Sequence, residues 1–209
     1  MTASVPATLF SDPASAERLE RTAAALKEKN FAVEILDDLA AARARVKDLI
    51  PEGALVFTGA SETLRLSGID DDLNTSGRYD SAKARTMTMD RATQLTEIWK
   101  LIACPDFAVG SVAAVTETGS LVVASASGGQ LPGYAGASQG VIWVVGAQKV
   151  VPDLSTALRR VEDYCVPLES ERCMKAYGVP SALNRLLVLN AEPQPGRATV
   201  LLLREAVGF

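Results

Sequence analysis

Glu117 lies in the run Thr116-Glu117-Thr118-Gly119, a tight turn between two apolar segments. A carboxylate held there has the reach of a general base, or of a nucleophile toward a thioester. The alternative is a solvated turn glutamate, or one that caps backbone amides. A second cluster is Gly59, Ser61 and Thr63, where a short apolar run meets the start of a helix. Small residues let a ligand approach the backbone, and free N–H groups at a helix start attract phosphate or carboxylate. Plain N-capping by Ser61 accounts for the same residues. A third candidate is Ser125 to Gly140, nearly devoid of charge, in which Gly128-Gly129-Gln130 and Gly133-Tyr134-Ala135-Gly136 could wrap an acyl-phosphate or carboxylate. The segment matches neither the P-loop nor the dinucleotide fingerprint. Close packing of a helix on a sheet would select small side chains equally well. Lys149, just past an apolar strand, either holds an anion or is a solvated loop lysine.

The composition narrows the chemistry. There are no histidines among the 209 residues, which excludes a Ser-His-Asp or Cys-His apparatus and any imidazole zinc site within the chain. Acid–base work falls to Asp, Glu, Lys, Tyr or Cys. The three cysteines, Cys104, Cys165 and Cys173, form no C-x-x-C pair and cannot supply the usual four thiolates of an iron–sulfur cluster. Reduced thiols in a cytoplasmic protein are expected, with no metal and no cofactor called for. The net charge of −4 argues against duplex nucleic acid, which needs a basic footprint, but not against a small anionic metabolite. Met1 to Phe10 lacks the pattern of a secretory signal, and no stretch is uncharged and apolar enough to span a bilayer.

The elements that must position these groups alternate. Residues 1–13 read as a loose leader and 14–209 as a single domain. Ser11-Asp12-Pro13 resembles a helix start, and Ala14 to Lys29 carries Leu19, Ala23 and Leu26 on one face. Phe31 to Leu36 reads as a strand, followed by a helix capped by Asp37 or Asp38. Ala54 to Phe57 is a short buried strand, Asp70 to Asp80 an irregular polar stretch, and Ser81 to Ile102 one long helix. Phe107 to Val115, Ser120 to Ala124 and Val141 to Gly146 read as further strands, and Asp153 starts a helix to Tyr164. Arg159 and Arg160 fall on a solvated helix face. Leu186 to Leu189 and Ala198 to Arg204 are late strands able to pair as a hairpin. The pattern predicts an α/β fold, a Rossmann-like three-layer domain with a mainly parallel sheet and room for an antiparallel edge.

Several segments resemble the motifs of lactate-utilisation (LUD) domain proteins, in order from Leu19 to Phe209. Ile50-Pro51-Glu52-Gly53-Ala54, then Gly59 to Leu64 and Gly68-Ile69, resemble the first motif. Ser111 to Gly119 resembles the second and Val144 to Leu154 the third. Val166 to Arg172 and Glu205 to Phe209 match the shorter, stand-alone branch. The resemblance implies a fold like that of ribose-5-phosphate isomerase, glucosamine-phosphate deaminase and the CoA transferases. It also implies a link to lactate oxidation, where larger relatives are encoded with iron–sulfur partners. CoA transferases of this fold use a Glu near a glycine turn, which by analogy points to Glu117. Relatives carry a Gly-Asn-Arg segment after the second motif; here Ala124 to Gly133 contains neither Asn nor Arg.

Two functions follow as expectations. In the first, the domain binds or acts on a small anionic metabolite (carboxylate, CoA ester or sugar phosphate), with Gly59, Ser61 and Thr63 holding the anion and Glu117 acting as base or nucleophile. In the second it is a non-enzymatic component of a lactate-oxidising or other redox assembly, with protein partners. The first requires a concave pocket where Glu117 and the Gly59 loop meet. A homodimer is the default state for a metabolic domain.

Overall fold

The structure, a computed structural model, describes residues 10–209. Residues 1–9 of the expected leader lie outside the described residues, whereas Phe10 is buried and packs on the Tyr164 ring. The chain then alternates helix and strand. Helix α1 (Ala16–Glu28) starts at Ser15, whose hydroxyl accepts the amide of Arg18, rather than at the Ser11-Asp12-Pro13 start read from sequence. Strand β1 (Ala32–Leu36) leads to α2 (Leu39–Leu49), capped by Asp38 as its position suggests. After β2 (Leu55–Thr58) come α3 (Glu62–Leu66), capped by the Ser61 hydroxyl, and α4 (Ile69–Thr75).

Two segments of this part of the chain differ from the sequence expectation. The acidic stretch expected to be irregular contains α4, because Ile69 and Leu73 sit one turn apart and both are buried. The long helix expected from Ser81 to Ile102 is two, α5 (Ala82–Met87) and α6 (Leu95–Ala103), with the two-residue β3 (Asp80–Ser81) just before them. Asp90 breaks the run: its carboxylate accepts from the Ala92 amide and the Thr93 hydroxyl, a local alternative to helical bonding.

Residues 107–115 do not form one strand. Strand β4 (Phe107–Gly110) ends, the chain turns through Ser111 to Ala113, and β5 (Ala114–Thr116) begins in a different sheet. Strand β6 (Leu121–Ser125) returns antiparallel to β5. Then follow β7 (Gly140–Val145), β8 (Val150–Val151), α7 (Leu154–Arg160), a π-helical turn at Val161–Cys165, α8 (Val166–Tyr177), β9 (Arg185–Leu189) and β10 (Ala198–Leu203).

The main sheet has six strands in the order β1-β10-β7-β4-β2-β3, and every pairing in it is parallel. With helices on its two faces, the molecule is a three-layer α/β fold of the Rossmann-like kind. Alternation along β7 explains the layers. Val141, Trp143 and Val145 enter the core beneath α1, whereas Ile142 and Val144 enter the core shared with α2, α3 and α4. A strand buried on both faces must be apolar at every position, as Val141 to Val145 is.

A second sheet, β8-β5-β6-β9, overlies one face and was not anticipated. Val115, Leu121 and Val123 pack toward the main sheet, while Ala114, Val122 and Val151 meet α7. The late strands are therefore not a hairpin. Strand β10 inserts between β1 and β7, and β9 pairs with β6.

Candidate functional site

In parallel α/β sheets the loops leaving the carboxyl ends of the strands gather on one side and form the binding crevice. Here the segments after β2, β4 and β7 meet at that end and enclose a cavity of about 220 Å³. Gly59, Ser61 and Thr63 come from the first, Ser111 from the second and Lys149 from the third. The second sheet and α8 close the opposite wall with Ser125, Gln130, Cys165 and Glu169.

Lys149 dominates the electrostatics. It is 1% exposed, so the solvated-lysine reading is wrong: the short 3₁₀ turn Ala147–Lys149 after β7 carries the side chain inward. Its Nζ donates to Thr63 Oγ1 and to Ser111 Oγ, each at 3.0 Å. Those hydroxyls donate onward, Ser111 to the Val144 carbonyl at 2.6 Å and Thr63 to that of Val207 at 3.3 Å. No carboxylate pairs with Lys149 among the described residues. Burial, reinforced by the Arg160 charge and opposed by Cys165, pulls its pKa down to about 7.

Behind the wall lies Arg160, fully buried and not on the solvated helix face expected for it. The π-helical turn that follows α7 brings Cys165 back beside it. The guanidinium donates to the Ala113 carbonyl, to Cys165 Sγ at 2.9 Å and to the Phe10 carbonyl at 3.3 Å. Burial lowers the Arg160 pKa and raises that of Cys165.

Glu117 is elsewhere. It occupies the β5–β6 turn but contributes nothing to the cavity wall. Its carboxylate pairs with Arg18 Nε at 2.7 Å and Arg21 Nη2 at 3.1 Å, both on α1. Burial works against its ionisation, yet the two arginines outweigh burial and hold the pKa below the usual range. The expected convergence of Glu117 with the Gly59 loop is absent, because the turn points across the edge of the second sheet toward α1. Gly128 and Gly129 are also off the wall. Gly128 adopts φ +82° and donates its amide to Ser125 Oγ at 2.8 Å, so it shapes the turn that presents Ser125 and Gln130. Elsewhere in the segment small size serves packing: a Cβ on Gly140 would stand 2.4 Å from the Phe107 ring.

Sequence reasoning missed Ser111, Cys165 and Glu169, whereas Gln130, singled out beside Gly128 and Gly129, does line the cavity. Ser111 was read as part of a continuous strand, and only its hydroxyl, where β4 stops, signalled otherwise. Among the described residues no group of His, Cys, Asp and Glu could hold a metal ion, and no helix is long and apolar enough to cross a membrane.

The LUD domain model matches residues 19–203. Among solved structures, a DUF162 family protein from Deinococcus radiodurans is similar in fold, with a TM-score of 0.54 at 14% identity, covering 91% of this chain and 99% of that one. No curated protein matches the sequence.

Proposed function

The chain belongs to the LUD domain family, and we propose that it binds a small anionic metabolite, of carboxylate type, in the cavity lined by Lys149, Thr63 and Ser111. One observation carries this reading: a fully buried lysine faces a cavity with hydroxyls for partners and no counter-ion among the described residues. A buried cation is ordinarily paired, and a bound anion would complete the pair. The cavity volume suits a molecule of a few heavy atoms better than an enclosed CoA or nucleotide. Gly59 and Ser61 border the same space and Gln130 offers an amide. Glu117 has no part in this site. The free thiols Cys104, Cys165 and Cys173 fit a reducing compartment, the cytoplasm.

A thermal-shift screen against oxalate, lactate, pyruvate, sugar phosphates and acyl-CoAs tests the proposal. A ligand at a hundredfold excess over its Kd stabilises the folded state by about 2.7 kcal/mol. The expected result is a shift with a small carboxylate that is lost in Ser61→Trp, which puts an indole on the cavity wall. Absence of a shift with every anion, in folded protein, would remove the reading and favour a role through protein partners.

A further inference from the structure

The hydrogen-bond inventory around Lys149 carries a second step, which rests on the anion-binding reading. The Ser111 and Thr63 hydroxyl protons are directed to the Val144 and Val207 carbonyls, which can only accept. Both hydroxyls therefore accept from Nζ. Burial without a carboxylate partner favours the neutral amine, whose two N–H groups these bonds use up and whose remaining position on nitrogen is a lone pair. Nζ has no third hydrogen-bond partner among the described residues, and Lys149 borders the cavity. A lysine that is buried, unpaired with any carboxylate and fixed through both N–H bonds is arranged as a nucleophile. The positive charge of Arg160 beyond it further disfavours the ammonium form.

We propose that Lys149 captures the carbonyl carbon of a small 2-oxo carboxylate as a covalent imine at the Thr63–Ser111 end of the cavity. The nitrogen lone pair attacks the ketone or aldehyde carbon, and the carbonyl π pair moves to oxygen. One N–H proton passes to that oxygen through solvent, giving a carbinolamine. The hydroxyl takes up a second proton from solvent and leaves as water while the nitrogen pair forms C=N. The product is a protonated iminium, cationic and beside the ligand's own carboxylate. The anion thus acquires the counter-charge that the neutral amine lacks. A 2-oxo acid fits these demands better than a 2-hydroxy acid, a phosphate or a thioester.

The experiment treats the full chain with pyruvate, glyoxylate or 2-oxoglutarate in the presence of cyanoborohydride, which reduces iminium ions to stable secondary amines. Intact mass and peptide mapping are then read. The expected result is one adduct per chain, at Lys149, slowed by excess oxalate and missing from Lys149→Arg. If that variant does not fold, mapping on the unmodified sequence decides alone. Absence of an adduct with all three acids overturns the proposal, as do adducts scattered over exposed lysines and indifferent to oxalate. Oxalate has no carbonyl able to form an imine, so its thermal shift separates the two readings. Stabilisation by oxalate with Lys149 unmodified removes the imine and keeps the anion site; no stabilisation and no adduct removes both.

Discussion

Replacing Lys149 with Met should make the protein more stable while abolishing its binding of anions. Folding moves the lysine from an ordinary value of 10.5 to about 7, a penalty of roughly 5 kcal/mol that is present in full below about pH 7. Met has similar length and no charge, so it keeps the packing and removes the penalty. Against this stand the two hydrogen bonds from Nζ, worth about 1 kcal/mol each. Thr63 and Ser111 keep their carbonyl acceptors and are not orphaned. The net gain is about 3 kcal/mol, or roughly 6–12 °C in Tm for a chain of this size. Its pH dependence is the diagnostic. Between about pH 7 and 10.4 the unfolded state binds more protons at this position, so the stability of the wild type rises with pH across that window. The advantage of Lys149→Met should be full below pH 7, shrink through the window, and give way to a small deficit above it. Arg160, Tyr134, Glu62 and Glu169 surround the site in both proteins, whereas the Cys165 thiol, which the Lys149 charge pulls down, rises further in the variant. Urea denaturation at pH 6, 8 and 10 measures the difference. A variant less stable at pH 6, or a difference that ignores pH, would refute the claim that Lys149 is a strained buried amine.

Glu117→Gln should cost about 1 kcal/mol, since its partners Arg18 and Arg21 are half-exposed. The folded carboxylate titrates below its unfolded value, so this contribution is present above about pH 4.3 and lost as pH falls through the folded pKa. Anion binding should be unchanged; lost binding would return Glu117 to the site. Glu192→Ala strands Arg197 in the interior, where the pair meets at 2.6 Å, and should destabilise by about 3–5 kcal/mol in urea titration. Gly119→Ala places a methyl 2.6 Å from the Ala25 carbonyl at φ +83°, so a loss of about 2–4 kcal/mol is expected by the same measurement.

What the sequence revealed of the fold was what local chemistry decides. Asp38, Ser61 and Asp153 each cap a helix where expected, because the carboxylate or hydroxyl bonds an amide three residues on. Val141 to Val145 declared a buried parallel strand by having no polar position. The failures were choices of partner. Both late segments are apolar and consecutive, which suggested a hairpin, yet their burial differs in kind. Every residue of β10 is buried, as a central strand requires, whereas Arg185 and Leu186 of β9 are exposed. The unbroken run Ala198 to Leu203 held that signal, and the hairpin reading passed over it.

The site was less legible because its chemistry depends on contacts between distant segments. Thr63 was singled out for its small size beside a helix start, and Lys149 for its place after a strand, but nothing local ties positions 86 residues apart. The sheet switch at Ser111 is the decisive device. By ending β4 at Gly110 and sending β5 into the second sheet, it leaves a hydroxyl at the strand terminus within 3.0 Å of Nζ. The segment from Ala124 to Gly133, which lacks an Asn-Arg pair, supplies Ser125 and Gln130 to the wall but no charge. Lys149 is thereby the one Lys or Arg on that wall among the described residues. An anion entering the cavity can find its counter-charge there only by protonating Lys149 or by bonding to it. Anion affinity should therefore fall as pH rises above about 7 for ligands without a carbonyl, while a 2-oxo acid, able to form its own cation at the nitrogen, should hold its affinity further into alkali.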